Sequence, residues 1–156
     1  MIHCCNFTEV VGNISLRDSI QSDEEFVNDL TRITMQSYVE NTWKDEEHCE
    51  HYYAINSFKQ LSTQIIYKYN KPIGRITLTH HKNEIIVDAI HLIPSAQGQG
   101  IGSTLLHKII DNTIGQEKSV SLIVLKPNPA WQLYTQNTST CTFQSLARIP
   151  ALRYNA

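Results

Sequence analysis

The sequence predicts a mixed α/β fold, in which helices flank a central, mostly antiparallel sheet whose fourth and fifth strands form a parallel pair. Three observations lead to this prediction. Two amphipathic helical segments precede residue 62. From residue 63 to residue 93, apolar and β-branched residues then follow the period of two that is typical of strands. Finally, a strand, a glycine-rich turn, a helix and another strand follow in order, and a crossover of this kind makes its two strands parallel.

The first helix is predicted from a capping box, Ser22 followed three residues later by Glu25, and it should run to about Tyr38. Its inward face is expected to carry Phe26, Val27, Leu30, Ile33 and Thr34. The second helix should extend from about Asp45 to about Leu61, with Tyr52, Ile55 and Phe58 inward. Acidic residues crowd both helix starts, where the helix dipole favours them, so we assign them a capping role rather than a catalytic one.

Length and charge limit the classes of function. With 156 residues, the chain is expected to form a single domain over residues 1–156. The net charge of −2 gives no electrostatic reason to expect nucleic acid as a partner. No apolar run approaches the length of about 18 residues that a membrane helix needs, and the first residues do not resemble a signal peptide. We therefore expect a cytoplasmic protein with no membrane partner.

The cysteine and histidine residues do not form a metal-binding pattern. Cys4 and Cys5 are adjacent, and no Cys-x-x-Cys spacing occurs in the chain. His48, Cys49 and His51 lie close in sequence, but on a helix they do not form the i, i+4 pair that would place two ligands on one face. The sequence therefore predicts no metal site.

A glycine-rich stretch, Gln97–Gly102, separates the predicted fourth strand from the third helix. It contains three of the six glycines in the chain. Apolar residues follow it at positions 101, 105, 106, 109 and 110, which share one helical face. A helix start presents unpaired N–H groups and the positive end of the helix dipole, and glycines let the backbone approach an anion closely. The stretch is therefore predicted to bind a pyrophosphate.

Three phosphate-binding patterns compete for these glycines. The mononucleotide P-loop requires a lysine after its last glycine, and the sequence has none there. The dinucleotide fingerprint requires a third glycine, where Ser103 or Thr104 stands. The pattern Gln/Arg-x-x-Gly-x-Gly/Ala is matched by Gln97, Gly100 and Gly102. Through this pattern the sequence resembles the GNAT superfamily of acyl-CoA-dependent N-acetyltransferases.

A second stretch strengthens the resemblance, which covers roughly residues 14–136. Members of the family carry an Asn, Ala and Tyr segment after the fifth strand, and here it is formed by Asn128, Ala130 and Tyr134. The resemblance implies that the fourth and fifth strands splay apart. The sequence departs from the family after Tyr134, because no glycine occurs beyond Gly115 to form the usual Gly-Phe pair. The motif that accompanies the last two strands in the family is therefore absent from this sequence.

The resemblance implies acetyl-CoA as co-substrate and no metal. It places the pantetheine arm against the splayed end of the fourth strand, near His91, Leu92 and Ile93. The pyrophosphate would bind to the backbone N–H groups of the glycine-rich loop and of the helix that follows. The expected cofactor-binding residues are Leu92, Ile93, Gln97, Gly98, Gln99, Gly100, Ile101, Gly102, Ser103, Thr104 and Asn128.

The implied reaction is direct transfer of an acetyl group, in a ternary complex, from acetyl-CoA to a primary amine of a small molecule or peptide. Tyr134 is the expected general acid for the departing thiolate. The general base stays open between Asp88, His91, Glu84 and water alone, because the catalytic glutamate of many relatives aligns on Ile86.

Two other functions fit the same residues. A catalytically inactive module could bind acyl-CoA as a sensor without turnover, and a nucleotide-binding domain could use the same glycines. Binding of NAD or ATP in preference to CoA would support the nucleotide-binding domain over the transferase and the sensor. A homodimer is also compatible with the resemblance.

Overall fold

The computed structural model describes residues 12–114, 116–125 and 128–129, and the backbone of residues 140–146 and 149–155. Its helices are α1 (Glu24–Thr42), α2 (Glu46–Ile55) and α3 (Ile101–Ile114). Its strands are β1 (Ile14–Asp18), β2 (Thr63–Lys68), β3 (Lys71–His80), β4 (Glu84–Leu92), β5 (Ser119–Leu125), β6 (Thr140–Leu146) and β7 (Ile149–Asn155). Short 3-10 helices cover Gln21–Asp23, Gln60–Ser62 and Pro94–Ala96.

The described strands form one sheet in the order β1-β2-β3-β4-β5-β7-β6. All neighbouring strands are antiparallel except β4 and β5, which are parallel and are joined through α3. This arrangement confirms the predicted fold class. The last two strands, whose sequence departs from the family, do join the sheet, and β7 lies between β5 and β6.

The two faces of the sheet differ in chemistry. Helix α3 packs on one face through Ile101, Leu105, Leu106 and Ile109, which meet an apolar surface formed by β2 to β5. We call this the α3 face. The opposite face, which we call the polar face, carries Arg75 and Thr77 of β3, and both are buried. Because a side chain of α1 bonds to Arg75, α1 covers the polar face.

The structure corrects the predicted inward face of α1. The buried residues are Val27, Leu30, Thr31, Met35 and Val39, whereas Ile33 is 62% exposed. The buried stripe follows a spacing of four residues and includes a threonine because Thr31 bonds to the buried Arg75. Apolarity alone could not identify a polar residue as an inward one.

The structure also corrects the ends of both predicted helices. Asp23, not Ser22, organises the start of α1, because its carboxylate accepts hydrogen bonds from the Ile20 N–H at 2.8 Å and from Arg17 at 2.9 Å. Burial alone would raise the pKa of Asp23, but these hydrogen bonds lower it. Helix α1 continues to Thr42, past the predicted end. Helix α2 ends at Ile55, six residues before Leu61, and Ile55 is 49% exposed.

Gly74 lets β3 approach the end of β4 closely. It stands opposite Leu92 in the antiparallel pair. A Cβ atom added at Gly74 would lie 2.3 Å from the carbonyl oxygen of His91 and 3.2 Å from the Cα atom of Leu92. Both are backbone atoms, so they cannot move aside as the tip of a flexible side chain can. The position of the β4 end therefore depends on this glycine.

We expect Gly74→Ala to lower the free energy of unfolding by about 1–3 kcal/mol, because the added methyl overpacks the contact with β4. Urea denaturation followed by circular dichroism measures this change. Lys71→Ala, at an exposed position of the same strand, is the control and should change stability by less than about 0.5 kcal/mol. Equal midpoints for the two variants would contradict the close approach.

Candidate active site

The site lies where β4 and β5 separate. The two strands pair over only four positions, from Glu84 opposite Ser119 to Val87 opposite Leu122. Beyond this point β4 continues to Leu92 and β5 to Leu125 without pairing to each other. We call the gap between residues 88–92 and residues 123–125 the β4–β5 opening. Along this gap the two strands do not use their backbone groups in a ladder with each other.

A β-bulge lies where the opening begins. Thr77 stands opposite Ala89 and Leu78 opposite Val87, which makes Asp88 an extra residue in β4. A bulge bends its strand and increases the local twist, and bulges are common beside active sites. The bulge therefore gives a physical reason why β4 turns away from β5 after Val87.

The end of β4 directs backbone groups into the opening. Ile93 donates its N–H to the carbonyl of Ile73 at 2.8 Å, so at this residue the backbone points toward β3. Successive residues of a strand point their backbone groups in opposite directions, so those of Leu92 point toward the opening. The Nε2 of Gln97 donates to the Leu92 carbonyl at 3.0 Å, which links the glycine-rich loop to this end of β4.

Two residues of the glycine-rich loop lie in the left-handed region of backbone conformation. Gly98 and Gly100 have φ angles of +72° and +78°, which L side chains rarely adopt, and a Cβ at either position would meet no atom within 4 Å. Backbone conformation and open space, rather than crowding by the protein, therefore account for these two glycines. The loop leaves room above its backbone for a ligand.

Helix α3 begins directly after this loop. The N–H of Thr104 donates to the Gly100 carbonyl at 3.0 Å, and its hydroxyl donates to the same oxygen at 2.9 Å. The N–H groups of residues 101 and 102 precede this first helical bond, where a helix has no acceptor of its own for them. They lie at the positive end of the helix dipole, so the helix start has the donors that a pyrophosphate requires.

The side chain of Gln99 joins the loop to two neighbouring segments. The Nε2 of Gln99 donates to the Ser95 carbonyl at 2.8 Å, and the Nζ of Lys68 donates to the Oε1 of Gln99 at 2.6 Å. Lys68 is the last residue of β2, so this contact joins the loop to the end of that strand. It also places a positive charge beside the loop.

The structure brings the candidate base residues onto the polar face. Asp88 accepts a hydrogen bond from the Thr79 hydroxyl at 2.5 Å. Glu84 accepts one from the hydroxyl of Ser121, which is buried on β5. His91 stands opposite Arg75 in the β3–β4 ladder. Asp88 lies at the start of the β4–β5 opening and His91 lies beside its backbone groups, whereas Glu84 lies where the two strands still pair.

Arg75 is a site residue that the sequence did not reveal. Its side chain is 1% exposed, and its Nε donates to the Nδ1 of His91 at 3.4 Å. The guanidinium also donates to Thr77, Thr31 and the Asn56 carbonyl at 3.0, 2.9 and 3.2 Å. Burial lowers the pKa of Arg75 to about 10, so it stays charged at neutral pH. The sequence shows only an arginine on the polar side of β3, and the alternation of that strand would assign it to the surface.

Burial, and then the charge of Arg75, lower the pKa of His91 to about 3. The imidazole is therefore neutral across the physiological range. A group with so low a pKa is a weak proton acceptor, and its Nδ1 lone pair already accepts the hydrogen bond from Arg75.

Two of the predicted site residues, Asn128 and Tyr134, come after β5 in the sequence. Tyr134 lies outside the described residues, as does most of the helix expected after Asn128. Asn128 itself follows β5, its N–H donates to the Leu125 carbonyl at 2.9 Å, and its side-chain amide lies 4.0 Å from the sulfur of Met35 on α1. It therefore links the end of β5 to α1.

The part of the chain that the structure describes contains no group of three His, Cys, Asp or Glu side chains arranged to hold a metal ion. None of the helices described combines the length and the apolar character that crossing a bilayer requires.

Comparison with solved structures finds this fold in several N-acetyltransferases. PaiA N-acetyltransferase from Thermoplasma acidophilum, solved in complex with coenzyme A, is similar with a TM-score of 0.71 at 17% identity, over 92% of this chain and 99% of that one. Naa50 from Arabidopsis thaliana, bound to the bisubstrate analogue CoA-Ac-MVNAL, gives 0.60 at 15% identity, over 92% and 97%. A variant of the spermidine N-acetyltransferase SpeG from Vibrio cholerae gives 0.61 at 20% identity, over 94% of each chain. At these identities the likeness shows the fold.

The family itself is identified from the sequence. A model described as the acetyltransferase (GNAT) family matches residues 25–137, which is more than half of the chain. The chain belongs to this family. The resemblance drawn from the glycine-rich loop and the acyltransferase class expected from it are thereby confirmed. No curated protein sequence gives a significant match to the chain.

Proposed function

We propose that the protein transfers an acetyl group from acetyl-CoA to a primary amine of a small molecule or peptide, by direct attack in a ternary complex. The observation that carries this proposal is the β4–β5 opening, which begins at Asp88 and has the glycine-rich loop at its far end. The opening can admit an extended pantetheine arm, and the start of α3 can hold the pyrophosphate to which that arm is joined.

The proposed cofactor contacts follow from this placement. The backbone groups of Leu92 face the opening, where amide groups of the pantetheine would bind, whereas Ile93 borders it with its N–H and carbonyl already bonded to Ile73 and Ala96. Within the predicted segment 97–104, the N–H groups of Gln97 and Thr104 are bonded to Pro94 and Gly100, so we assign the phosphate contacts to residues 98–102, and the open space above Gly98 and Gly100 receives the phosphates. Asn128 borders the opposite strand. In support, relatives of the same fold have been solved with coenzyme A or a CoA-derived analogue bound.

The reaction needs no covalent intermediate with the protein. The amine nitrogen, once it has lost its extra proton, attacks the thioester carbonyl carbon, and the carbonyl oxygen gains negative charge. The carbon–sulfur bond then breaks, the thiolate takes up a proton, and the acetylated nitrogen loses one. The protein must therefore align two substrates, accept a proton near the amine and donate one near the sulfur.

We assign the general base to Asp88. Its carboxylate lies at the start of the opening, and among the described residues only the Thr79 hydroxyl is bonded to it. Asp88 shares the polar face with Glu84 and Ile86 by alternation, and its carboxylate lies next to Thr79. His91 is less suited to the role because its pKa is too low, and Glu84 lies further from the opening. Tyr134 stays the proposed general acid.

The amine acceptor is tested with the purified protein, acetyl-CoA and a panel of primary amines that includes spermidine and peptides with a free N-terminus. The panel follows the acceptors named for proteins of the same fold. We expect amine-dependent release of free CoA thiol and an acetylated product in the mass spectrum. Tight CoA binding without release for any amine would favour the acyl-CoA-sensing alternative.

We expect Gly100→Asp to weaken CoA binding by a hundredfold or more. The new carboxylate would occupy the space above the loop and repel the pyrophosphate, and the loss of two charge-assisted hydrogen bonds at about 1.5–3 kcal/mol each accounts for that factor. Isothermal calorimetry with CoA measures it. Gly100→Asn, of similar size and also tolerant of positive φ, separates the charge from the bulk, and unchanged affinity in both variants would rule out a phosphate site here.

We expect Asp88→Asn to lower kcat by about 10²- to 10⁴-fold while the affinity for acetyl-CoA stays near normal, because the amide cannot accept the amine proton. The kcat of the wild type and the variant should converge as the pH rises and solvent deprotonates the amine. Thr79→Val serves as a control that removes the hydroxyl bonded to Asp88 and keeps the carboxylate. A full rate in Asp88→Asn at neutral pH would remove Asp88 from the mechanism.

We expect Tyr134→Phe to lower kcat by about 10- to 10³-fold with little change in KM, since negative charge on sulfur develops only in the transition state. Steady-state kinetics and a thermal melt are measured on the same variant. A lower melting temperature with an unchanged kcat would show that the hydroxyl serves stability and not the reaction.

A further inference from the structure

The buried charge of Arg75 has no role in the mechanism given above. Its guanidinium bonds to Thr31, Thr77, the Asn56 carbonyl and His91, and none of these four partners is a carboxylate. A buried positive charge whose hydrogen bonds all go to neutral groups contributes little to stability, and the carboxylate of Asp88 acts on it without a hydrogen bond. The side chain has five N–H donors in a fixed plane, so it can serve acceptors on α1, β3, β4 and the end of α2 together. Lysine could not form the same set of bonds.

The contact with His91 determines where the imidazole carries its hydrogen. The Nε of Arg75 can only donate, so the Nδ1 of His91 must accept and cannot bear a hydrogen. In the neutral ring the hydrogen then lies on Nε2. Within the described residues, Nε2 of His91 has no hydrogen-bond partner. His91 is partly exposed and directly precedes Leu92, so this N–H donor belongs to a residue that adjoins the end of the β4–β5 opening.

Of the charged groups described around this pair, Arg75 acts on the pKa of His91, and the carboxylate of Asp88 acts on Arg75. Two titratable groups face Arg75 from the elements that pack against it, Tyr52 of α2 and Asp88 of β4. Burial raises the pKa of Tyr52 to about 12, so the phenol is neutral at physiological pH. The side chains that reach Arg75 from α1 and β3, Thr31 and Thr77, carry no charge. The charge of Arg75 therefore disfavours protonation of His91.

We propose that Arg75 is a positioning residue, which holds His91 neutral with its hydrogen on Nε2 so that His91 donates a hydrogen bond to the thioester carbonyl oxygen. This inference rests on the proposed acetyl transfer. In the step concerned, the amine nitrogen bonds to the carbonyl carbon, the carbonyl oxygen takes the electron pair, and the oxygen returns it as the bond to sulfur breaks. His91 donates throughout and transfers no proton.

A fixed neutral donor suits this step. Preorganised N–H groups stabilise an oxyanion most where water is excluded, and a neutral imidazole keeps its hydrogen because it is a very weak acid. The same residue that the sequence offered as a base would thus act as a hydrogen-bond donor. The difference comes from Arg75, which occupies the ring nitrogen that a base would need.

The tautomer can be measured on the wild-type protein. Long-range ¹H–¹⁵N correlation spectra, with His91→Gln used to assign the signals of His91, report which ring nitrogen carries the hydrogen. We expect the Nε2–H form, with no titration between about pH 5 and 8. An Nδ1–H form, or a charged ring at about pH 6, would overturn the proposal. This measurement needs neither substrate nor turnover.

Variants then test the role of each residue. In Arg75→Met the pKa of His91 should rise and the Nδ1–H form should appear. Arg32→Met is the matched control, because Arg32 is an exposed arginine of α1 that pairs with Glu50 and lies over Tyr53, and it should leave the His91 signals unchanged. If Arg75→Met does not fold, the wild-type spectrum still decides the tautomer.

Kinetics on His91 complete the test. We expect His91→Leu to lower kcat by about 10²- to 10³-fold with an unchanged KM for the amine, and His91→Gln, which keeps an N–H donor, to lose about tenfold. A loss confined to the KM of the amine, or equal losses in both variants, would overturn the donor role. If no amine supports thiol release by the wild type, the proposed function fails and the donor role fails with it. If turnover occurs and His91 is not the Nε2–H form, only this inference fails.

Discussion

The separation of β4 from β5 is the constraint on which the rest of the site depends. Two parallel strands that paired along their whole length would use every backbone group between them. Here the extra residue at Asp88 ends the pairing after four positions, and the end of β4 stays close to β3 because Gly74 has no side chain. The end of β4 is thus paired with β3 on one side and unpaired from β5 on the other. The resulting opening consists of backbone groups that the fold leaves to a ligand.

The two faces of the sheet divide the work of stability and function. The α3 face is continuously apolar, and it fixes the helix whose first turn holds the proposed phosphate site. The polar face buries threonines and an arginine that could have been replaced by apolar residues of similar size. Such groups contribute little or nothing to net stability when buried, so their presence under α1 and α2 favours a functional role.

The sequence predicted the parts of the protein that depend on local chemistry. The alternation of β2 to β4 and the crossover through α3 each follow from a pattern of a few residues, and the structure confirms them. It could not predict features that depend on contacts between distant segments. Arg75 occupies a position that alternation assigns to the surface, Thr31 is buried where it bonds to that arginine, and Ile33, predicted to face inward, is exposed.

The bulge at Asp88 belongs to the same class of feature. A run of alternating residues gives no sign of an added one, since register is a property of two strands rather than one. The C-terminal strands form although the sequence lacks the family motif there. The ladder between β6 and β7 needs only main-chain atoms, so the missing glycine does not prevent it.

The hydrogen bond between Lys68 and Gln99 affects the affinity with which the glycine-rich loop can bind a ligand. A glycine-rich segment is among the most disordered parts of an unfolded chain, and ordering it at the moment of binding would subtract from the affinity. The amide of Gln99 accepts from Lys68 of β2 and donates to the Ser95 carbonyl, so folding of the domain already orders part of this segment. That part of the entropy cost is then met before the ligand arrives.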